Sequence, residues 1–150
     1  MIFFTRRILK LSEKKIAVSG GFDPIHVGHV RMIRAAAEYG KVVVILNTDA
    51  WLLRKKGYVF MKWEERAEIL RSIVGVEEVL PAKDYDDTVC DSLSDIYEVI
   101  GLDYFANGGD RKQENTPEMQ VCKSLGIEMV WNCGGGKIQS SSDLVKNTKK

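Results

Sequence analysis

Val42-Val-Val-Ile-Leu46 is an unbroken run of β-branched and aliphatic residues. No polar position interrupts it. A strand of this kind meets apolar material on both faces, the condition of a strand inside a parallel sheet covered by helices on each side. Working outward, short apolar runs recur at Lys15–Ser19, Glu77–Leu80, Tyr104–Ala106 and Ile127–Trp131. Helix-length segments separate them at about 27–39, 62–73, 89–100 and 116–125, and a last one starts near 140. Trp63, Ala67, Ile69, Leu70 and Ile73 fall at helical spacing in the second segment. Gly40 and Gly126 each follow a helical segment in the position of a left-handed C-cap. The stretch 47–61 reads as loop. Strand alternating with helix predicts an α/β fold, a Rossmann-like doubly wound parallel sheet of about five strands with helices on both faces. Ligands of such sheets sit beyond the carboxyl ends of the strands, which here are loops 20–26, 47–61, 81–88, 107–115 and 132–140.

A length of 150 residues predicts a single domain over 1–150. Hydrophobic residues make up 45% and charged residues 29%, a globular composition. The 22 Lys and Arg nearly balance the 21 Asp and Glu, for a net charge of +1. A nucleic-acid binder usually carries a larger basic excess, so no nucleic-acid partner is expected. No apolar run approaches the roughly 20 residues of a membrane span, so no membrane partner is expected either. The start Met1-Ile-Phe-Phe-Thr-Arg-Arg7 puts charge after a very short apolar stretch, the reverse of a secretory signal. Cys90, Cys122 and Cys133 show no C-x-x-C spacing. Neither a disulfide framework nor a zinc site is favoured, and the cytoplasm is the expected location.

The loop after the first strand reads Gly20-Gly-Phe-Asp-Pro-Ile-His-Val-Gly-His29. Gly20 and Gly21 permit a tight turn and close approach of a ligand to the backbone. His26 and His29 share one face of a helix that begins there, with Gly28 leaving space between them. In a first turn they would join free backbone N–H groups and the helix dipole, a setting that attracts anions. Two histidines so placed can donate hydrogen bonds to phosphate oxygens and stabilise developing charge. They are the only histidines in the chain.

His26-Val-Gly-His29 resembles the HxGH signature of the nucleotidyltransferase superfamily that includes the glycerol-3-phosphate cytidylyltransferases. Gly21-Phe-Asp-Pro-Ile-His-Val-Gly-His29 is similar to that family's G-x-F-D-x-x-H-x-G-H. Asn47-Thr48-Asp49 resembles the end of its second strand, and Trp63-Glu-Glu-Arg66 its E-x-R helix. Val76-Glu-Glu-Val-Leu-Pro81 resembles V-D-E-V-I-P, Gly108-Gly-Asp110 resembles G-G-D or G-D-D, and Ser140-Ser-Ser-Asp-Leu-Val145 resembles S-T-S-D-I-I. The motifs occur in the family's order from about Lys15 to Asn147. One departure stands out. Cytidylyltransferases of the family usually carry R-T-E-G-I before the terminal S-T, where this chain has Gly134-Gly-Gly-Lys-Ile-Gln139. Gly108-Gly-Asp110 also resembles the heptose-phosphate adenylyltransferases, whereas Ser140-Ser-Ser-Asp143 leans towards cytidylyltransferases.

The resemblance implies CTP, or alternatively ATP, as nucleotide donor and a phosphorylated small alcohol or sugar as acceptor. It implies direct attack of the acceptor's phosphate oxygen on the α-phosphate, Mg²⁺ carried on the nucleotide without a protein metal site, and a homodimer. His26 and His29 are expected to be catalytic. Arg54-Lys-Lys-Gly57 taken alone is a solvated basic turn, but by resemblance Lys55 or Lys56 reaches the phosphates. Gly20, Gly21, Phe22, Asp23, Gly28 and Gly108 are expected to bind the nucleotide. So are Asp110, at the ribose or fixing its loop, and Arg111, at phosphate. Ser140, Ser141 and Ser142 can cap the last helix or bind phosphate, and the resemblance favours phosphate. Arg66 is either a surface partner of Glu65 or Glu68 or, by resemblance, a substrate-binding residue. Two other classes compete: a nucleotide-binding regulator without turnover, and an RNA-binding module, since HxGH also occurs in class I aminoacyl-tRNA synthetases. The missing K-M-S-K-S sequence and the near-neutral charge argue against the latter.

Overall fold

The structure, a computed structural model, describes residues 14–109 and 116–148. Five strands form one parallel sheet in the order β3-β2-β1-β4-β5, with β1 Lys15–Gly20, β2 Lys41–Leu46, β3 Val76–Pro81, β4 Tyr104–Ala106 and β5 Glu128–Val130. Helices α1 (Val27–Ala36), α2 (Asp49–Lys56), α3 (Trp63–Arg71), α4 (Cys90–Val99), α5 (Met119–Leu125) and α6 (Ser141–Asn147) make the connections and the C-terminal element. This is the doubly wound α/β architecture expected from the alternation of runs. The strand order reverses between β1 and β4, so a crevice opens beyond their carboxyl ends.

The period of two along the strands sorts the core into two layers. Ile16, Val18, Val42, Val44 and Leu46 face one side, where Ile33 and Ala36 of α1 and Ala67 and Leu70 of α3 pack. Ala17, Val43 and Ile45 face the other, against Leu93 and Ile96 of α4 and Cys122 of α5. Every residue of Val42–Leu46 is fully buried, which is why that run contains no polar position.

Two expectations change. Residues 49–56 are helical, not loop. Thr48 caps α2 by accepting from Trp51 N at 3.2 Å, and Gly57 ends it at φ 82°. The helix carries only one buried residue, Leu52, so it has no apolar stripe to betray it. Gly40 does not cap α1, which ends at Ala36 with Ala37 in a right-handed conformation. The glycine is needed for another reason: a Cβ there would lie 2.4 Å from the Lys14 carbonyl oxygen. Gly126, at φ 74°, is the left-handed cap expected of it.

Arg66 holds the ligand edge of the sheet together. Its side chain is completely buried. Nη1 donates to the carbonyls of Gly21 and Asn47, both at 2.8 Å, just past the ends of β1 and β2. Nε donates to Met61 O at 2.8 Å, and Nη2 pairs with Asp49 Oδ1 at 2.6 Å. The expected partners Glu65 and Glu68 take no part, and the guanidinium presents nothing to the crevice. Its role is positional: a planar fork with several donors satisfies acceptors from three separate segments. Asp23, 2% exposed, completes the clamp by accepting from Phe60 N at 2.7 Å and Met61 N at 2.6 Å. Removing one side of such a buried network leaves a charge and several carbonyls unpaired. Arg66→Met is therefore expected to lower unfolding stability by about 3–5 kcal/mol, read from urea denaturation. Arg66→Lys should recover little of it, because an ammonium cannot span the four acceptors. Near wild-type stability in either variant would show that the clamp is dispensable.

Candidate active site

The loop Gly20–His29 folds into a turn that brings both histidines to the crevice. His26 is the N-cap of α1, and its Nδ1 accepts from Gly28 N at 3.1 Å. His29 Nδ1 in turn accepts from His26 N at 3.2 Å. The pair forms a reciprocal capping box in which histidines replace the usual hydroxyl and carboxylate. Each Nδ1 is an acceptor, so each neutral ring carries its proton on Nε2. The rings stack at 3.7 Å between centroids and 19° between planes. Phe22, buried and at φ 49°, sets its ring edge-on to His29 at 4.7 Å. Gly28 leaves room for this arrangement: a Cβ there would lie 3.0 Å from the His26 ring, which would have to shift by a few tenths of an ångström to admit it.

Burial, then the neighbouring His26, Lys56 and Lys137, drive the pKa of His29 from an ordinary 6.5 down to about 3. His26 is lowered by burial and by Lys137. Both rings are thus held as neutral hydrogen-bond donors among cations.

Two adjoining cavities meet at these residues. The larger, about 270 Å³, is lined by α1, by the glycine-rich loops 108–109 and 133–139 and by the start of α6. Its charged lining residues are Arg31, Lys56 and Lys137, with no carboxylate among the described residues. The smaller, about 220 Å³, lies over the end of β1 and includes Asp23, Asp87 and Glu118. His29, Lys56 and Ser141 border both cavities. The last helix supplies three hydroxyls in different settings. Ser140 accepts from Asp143 N at 3.4 Å, Ser141 Oγ donates to Pro24 O at 2.7 Å, and Ser142 Oγ accepts from Lys56 Nζ at 3.2 Å.

The model of the cytidylyltransferase-like family matches residues 17–134. The chain belongs to that family. It is 32% identical over 98 residues to glycerol-3-phosphate cytidylyltransferase of Bacillus subtilis (strain 168), covering 65% of this chain and 72% of that protein. It is 26% identical over 145 residues to FAD synthase of Methanobrevibacter smithii, covering 91% and 92%. Bifunctional protein HldE of Citrifermentans bemidjiense is 32% identical over 123 residues, 79% of this chain but 24% of that protein. A solved structure, the lipopolysaccharide core biosynthesis protein from Thermoplasma volcanium GSS1, shares the fold with a TM-score of 0.61 at 17% identity, over 79% of this chain and 94% of that one.

Within this cytidylyltransferase-like site the two lysines of α2 separate. Lys56 borders both cavities, whereas Lys55 points to Asp87 Oδ2 at 2.9 Å and lines neither. Gly28, Gly108, Ser140, Ser141 and Ser142 line the larger cavity with the histidines. Gly20, Gly21, Phe22 and Asp23 line the smaller one, and both Asp23 oxygens already accept backbone N–H groups. Asp110 and Arg111 lie outside the described residues. The sequence reading missed Arg31 as a site residue and left open whether Lys137 replaces the arginine of the family's R-T-E-G-I; both line the larger cavity. The three cysteines are free thiols. No helix among the described residues is long and apolar enough to cross a membrane.

The low pKa of His29 has a consequence for stability. Between pH 6.5 and about 3 the unfolded chain binds a proton that the folded chain refuses. Stability therefore falls as pH drops through that window, and His26 acts in the same direction. Urea midpoints measured at pH 7 and pH 5 should drop more for wild type than for His29→Asn. Equal drops would show that the ring titrates as it does in solvent.

Proposed function

We propose that this chain transfers a nucleotidyl group from CTP to a small phosphorylated alcohol or sugar, releasing pyrophosphate. The observation that carries the reading is the division of the crevice. A basic, glycine-lined cavity and a second cavity with carboxylates join at His29, Lys56 and Ser141. The first suits a triphosphate, the second the acceptor, and the junction suits the phosphorus that is exchanged between them. CTP is favoured by the family membership and by Ser140-Ser-Ser-Asp143. The HldE and FAD synthase relatives make ATP the second donor to test.

The chemistry needs no protein nucleophile. An acceptor phosphate oxygen attacks the α-phosphorus, the bond to the bridging oxygen breaks, and its electron pair leaves with pyrophosphate. The chain's contribution is positioning and electrostatic stabilisation. The Nε2–H groups of His26 and His29 donate to oxygens on which charge builds at the transition state. Their low affinity for protons keeps them donors without adding a proton-dependent charge. Lys56, a mobile point charge at the junction, neutralises the phosphates from the α2 side. The hydroxyls of Ser141 and Ser142 exchange their present protein partners for phosphate oxygens. Mg²⁺ carried on the nucleotide would supply further neutralisation of phosphate charge. The cationic lining of the larger cavity fits phosphate oxygens and offers no cage for a bare divalent ion.

Pyrophosphate release, screened with CTP and ATP against phosphorylated alcohols and sugars, tests the reading directly. Turnover with CTP is expected, and preference for ATP would transfer the assignment to an adenylyltransferase. Nucleotide binding with no pyrophosphate from any acceptor would leave the regulator reading instead. His29→Ala is expected to lower turnover at least about 100-fold with the fold intact. Lys56→Ala should cost on the order of 100-fold as well, and Lys55→Ala about twofold or less, since only the first borders the site. Equal effects of the two lysine variants would contradict the assignment of Lys56.

A further inference from the structure

Three strands end alike on the face of the sheet that α4 and α5 cover. Side chains two apart in a strand share a face, and Ala17, Ile45 and Phe105 belong to the apolar layer there. Two residues further on, the same face carries Ser19, Asn47 and Asn107. The apolar layer thus gives way to hydroxyl and amide groups at the carboxyl ends of β1, β2 and β4. Both asparagines are buried. Asn107 Nδ2 is a buried donor with no hydrogen-bond partner among the described residues. Buried polar groups are ordinarily paired with protein, water or ligand, so this layer is built to meet something further.

The helical side brings a carboxylate to the same place. Glu118, just before α5, is 2% exposed, and its Oε1 accepts from Val89 N at 3.1 Å, at the start of α4. Ser19, Asn47, Val89 and Glu118 line the smaller cavity together. Of the other carboxylates in that cavity, Asp23 holds Phe60 and Met61, and Asp87 pairs with Lys55 and Arg54 at the exposed rim. His29, Lys56 and Ser141 border both cavities, whereas Ser19, Asn47 and Glu118 border the smaller one alone. A molecule that places its phosphate at the junction therefore lays the rest of its body against these three side chains.

We propose that Glu118, with Asn47 and Ser19, recognises the body of the acceptor through hydroxyl groups. The inference rests on the nucleotidyl-transfer reading above and narrows the acceptor to one that carries further hydroxyls beside its phosphate. A carboxylate accepts hydrogen bonds, while an amide and a hydroxyl both donate and accept. Neighbouring hydroxyls of a polyol or sugar match this mixed set on both counts. An ammonium group brings donors alone and leaves the amide donor unmet, and an alkyl chain satisfies none of the three. The Glu118 carboxylate also repels phosphate, so the acceptor enters one way round, with its phosphate at Lys56 and His29. A site that hydrogen-bonds a substrate hydroxyl rejects the analogue that lacks it, because its own buried groups are then left unpaired.

Steady-state pyrophosphate release by the full chain, with CTP and with ATP in the presence of Mg²⁺, tests this. The probes are glycerol 3-phosphate and glucose 1-phosphate, their hydroxyl-free counterparts propyl phosphate and cyclohexyl phosphate, and phosphoethanolamine. Wild type is expected to use a hydroxylated acceptor with kcat/KM at least about 10-fold above that of its counterpart. Glu118→Gln keeps an acceptor for Val89 N and removes the charge. It should raise KM for the hydroxylated acceptor about 10-fold, with KM for the nucleotide and kcat/KM for the counterpart within about twofold of wild type. An equal loss on both members of a pair would make Glu118 a structural support of α4 and overturn the assignment. So would an unchanged KM in the variant. Wild-type preference for a hydroxyl-free acceptor or for phosphoethanolamine would overturn it without any variant. Turnover with other acceptors but none of these five would overturn it as well and leave the functional reading standing. Release of pyrophosphate with no acceptor at all would overturn both.

Discussion

A buried guanidinium organises the ligand edge of this protein. Arg66 reaches from α3 to the backbone just beyond β1 and β2 and to the segment before α3. Desolvating an arginine is costly, and the cost is offset here by three carbonyl acceptors and one carboxylate. The geometry of those acceptors then becomes obligatory. Met61 is held twice, by Arg66 at its carbonyl and by Asp23 at its N–H. The turn that contains Asp23 also leads into His26 and His29. Position therefore passes from the core of α3 to the histidine pair through backbone groups, with little room for adjustment.

The histidines show how the site keeps its donors usable. Two rings stacked at 3.7 Å beside lysines would repel one another if protonated. Burial and the neighbouring cations keep them neutral, and the reciprocal Nδ1 bonds direct both Nε2–H groups outward. The positive charge needed by a triphosphate is supplied instead by flexible lysines. Fixed neutral donors and mobile cations divide the work: the former define where an oxygen must sit, the latter follow the charge as it moves.

Family membership and local departure meet in the loop after β5. The cytidylyltransferase-like match spans residues 17–134 and covers the sheet and the histidine loop. At its end the chain carries a glycine run whose first residue, Gly134, packs on α1. Loops carry function more than the elements they connect, so the residues that choose donor and acceptor are to be sought in such loops.

Local sequence was enough for much of this. Val42–Leu46 declared a strand buried on both faces because every side chain had to be apolar, and the alternation of runs implied the parallel sheet. The spacing of His26 and His29 put them on one turn of helix, since periodicity is a property of the chain itself. Other features had no local signature. Helix α2 has a single buried residue, so no stripe marked it, although Thr48 and Gly57 carried its boundaries. Lys55 and Lys56 are chemically equivalent in sequence, and only the direction of α2 sends one to Asp87 and the other to the crevice. Arg66 looked like a surface or substrate residue because its acceptors are backbone carbonyls, which no residue identity encodes. Gly40 looked like a helix cap, yet its need for a bare Cα comes from Lys14, a neighbour only after the sheet forms. The sequence by itself determined the periodic elements and the pairing of the histidines, because both follow from local geometry. The tertiary structure alone decided which charged groups are buried, which face the cavities, and how the crevice divides, because those depend on contacts between segments far apart in the chain.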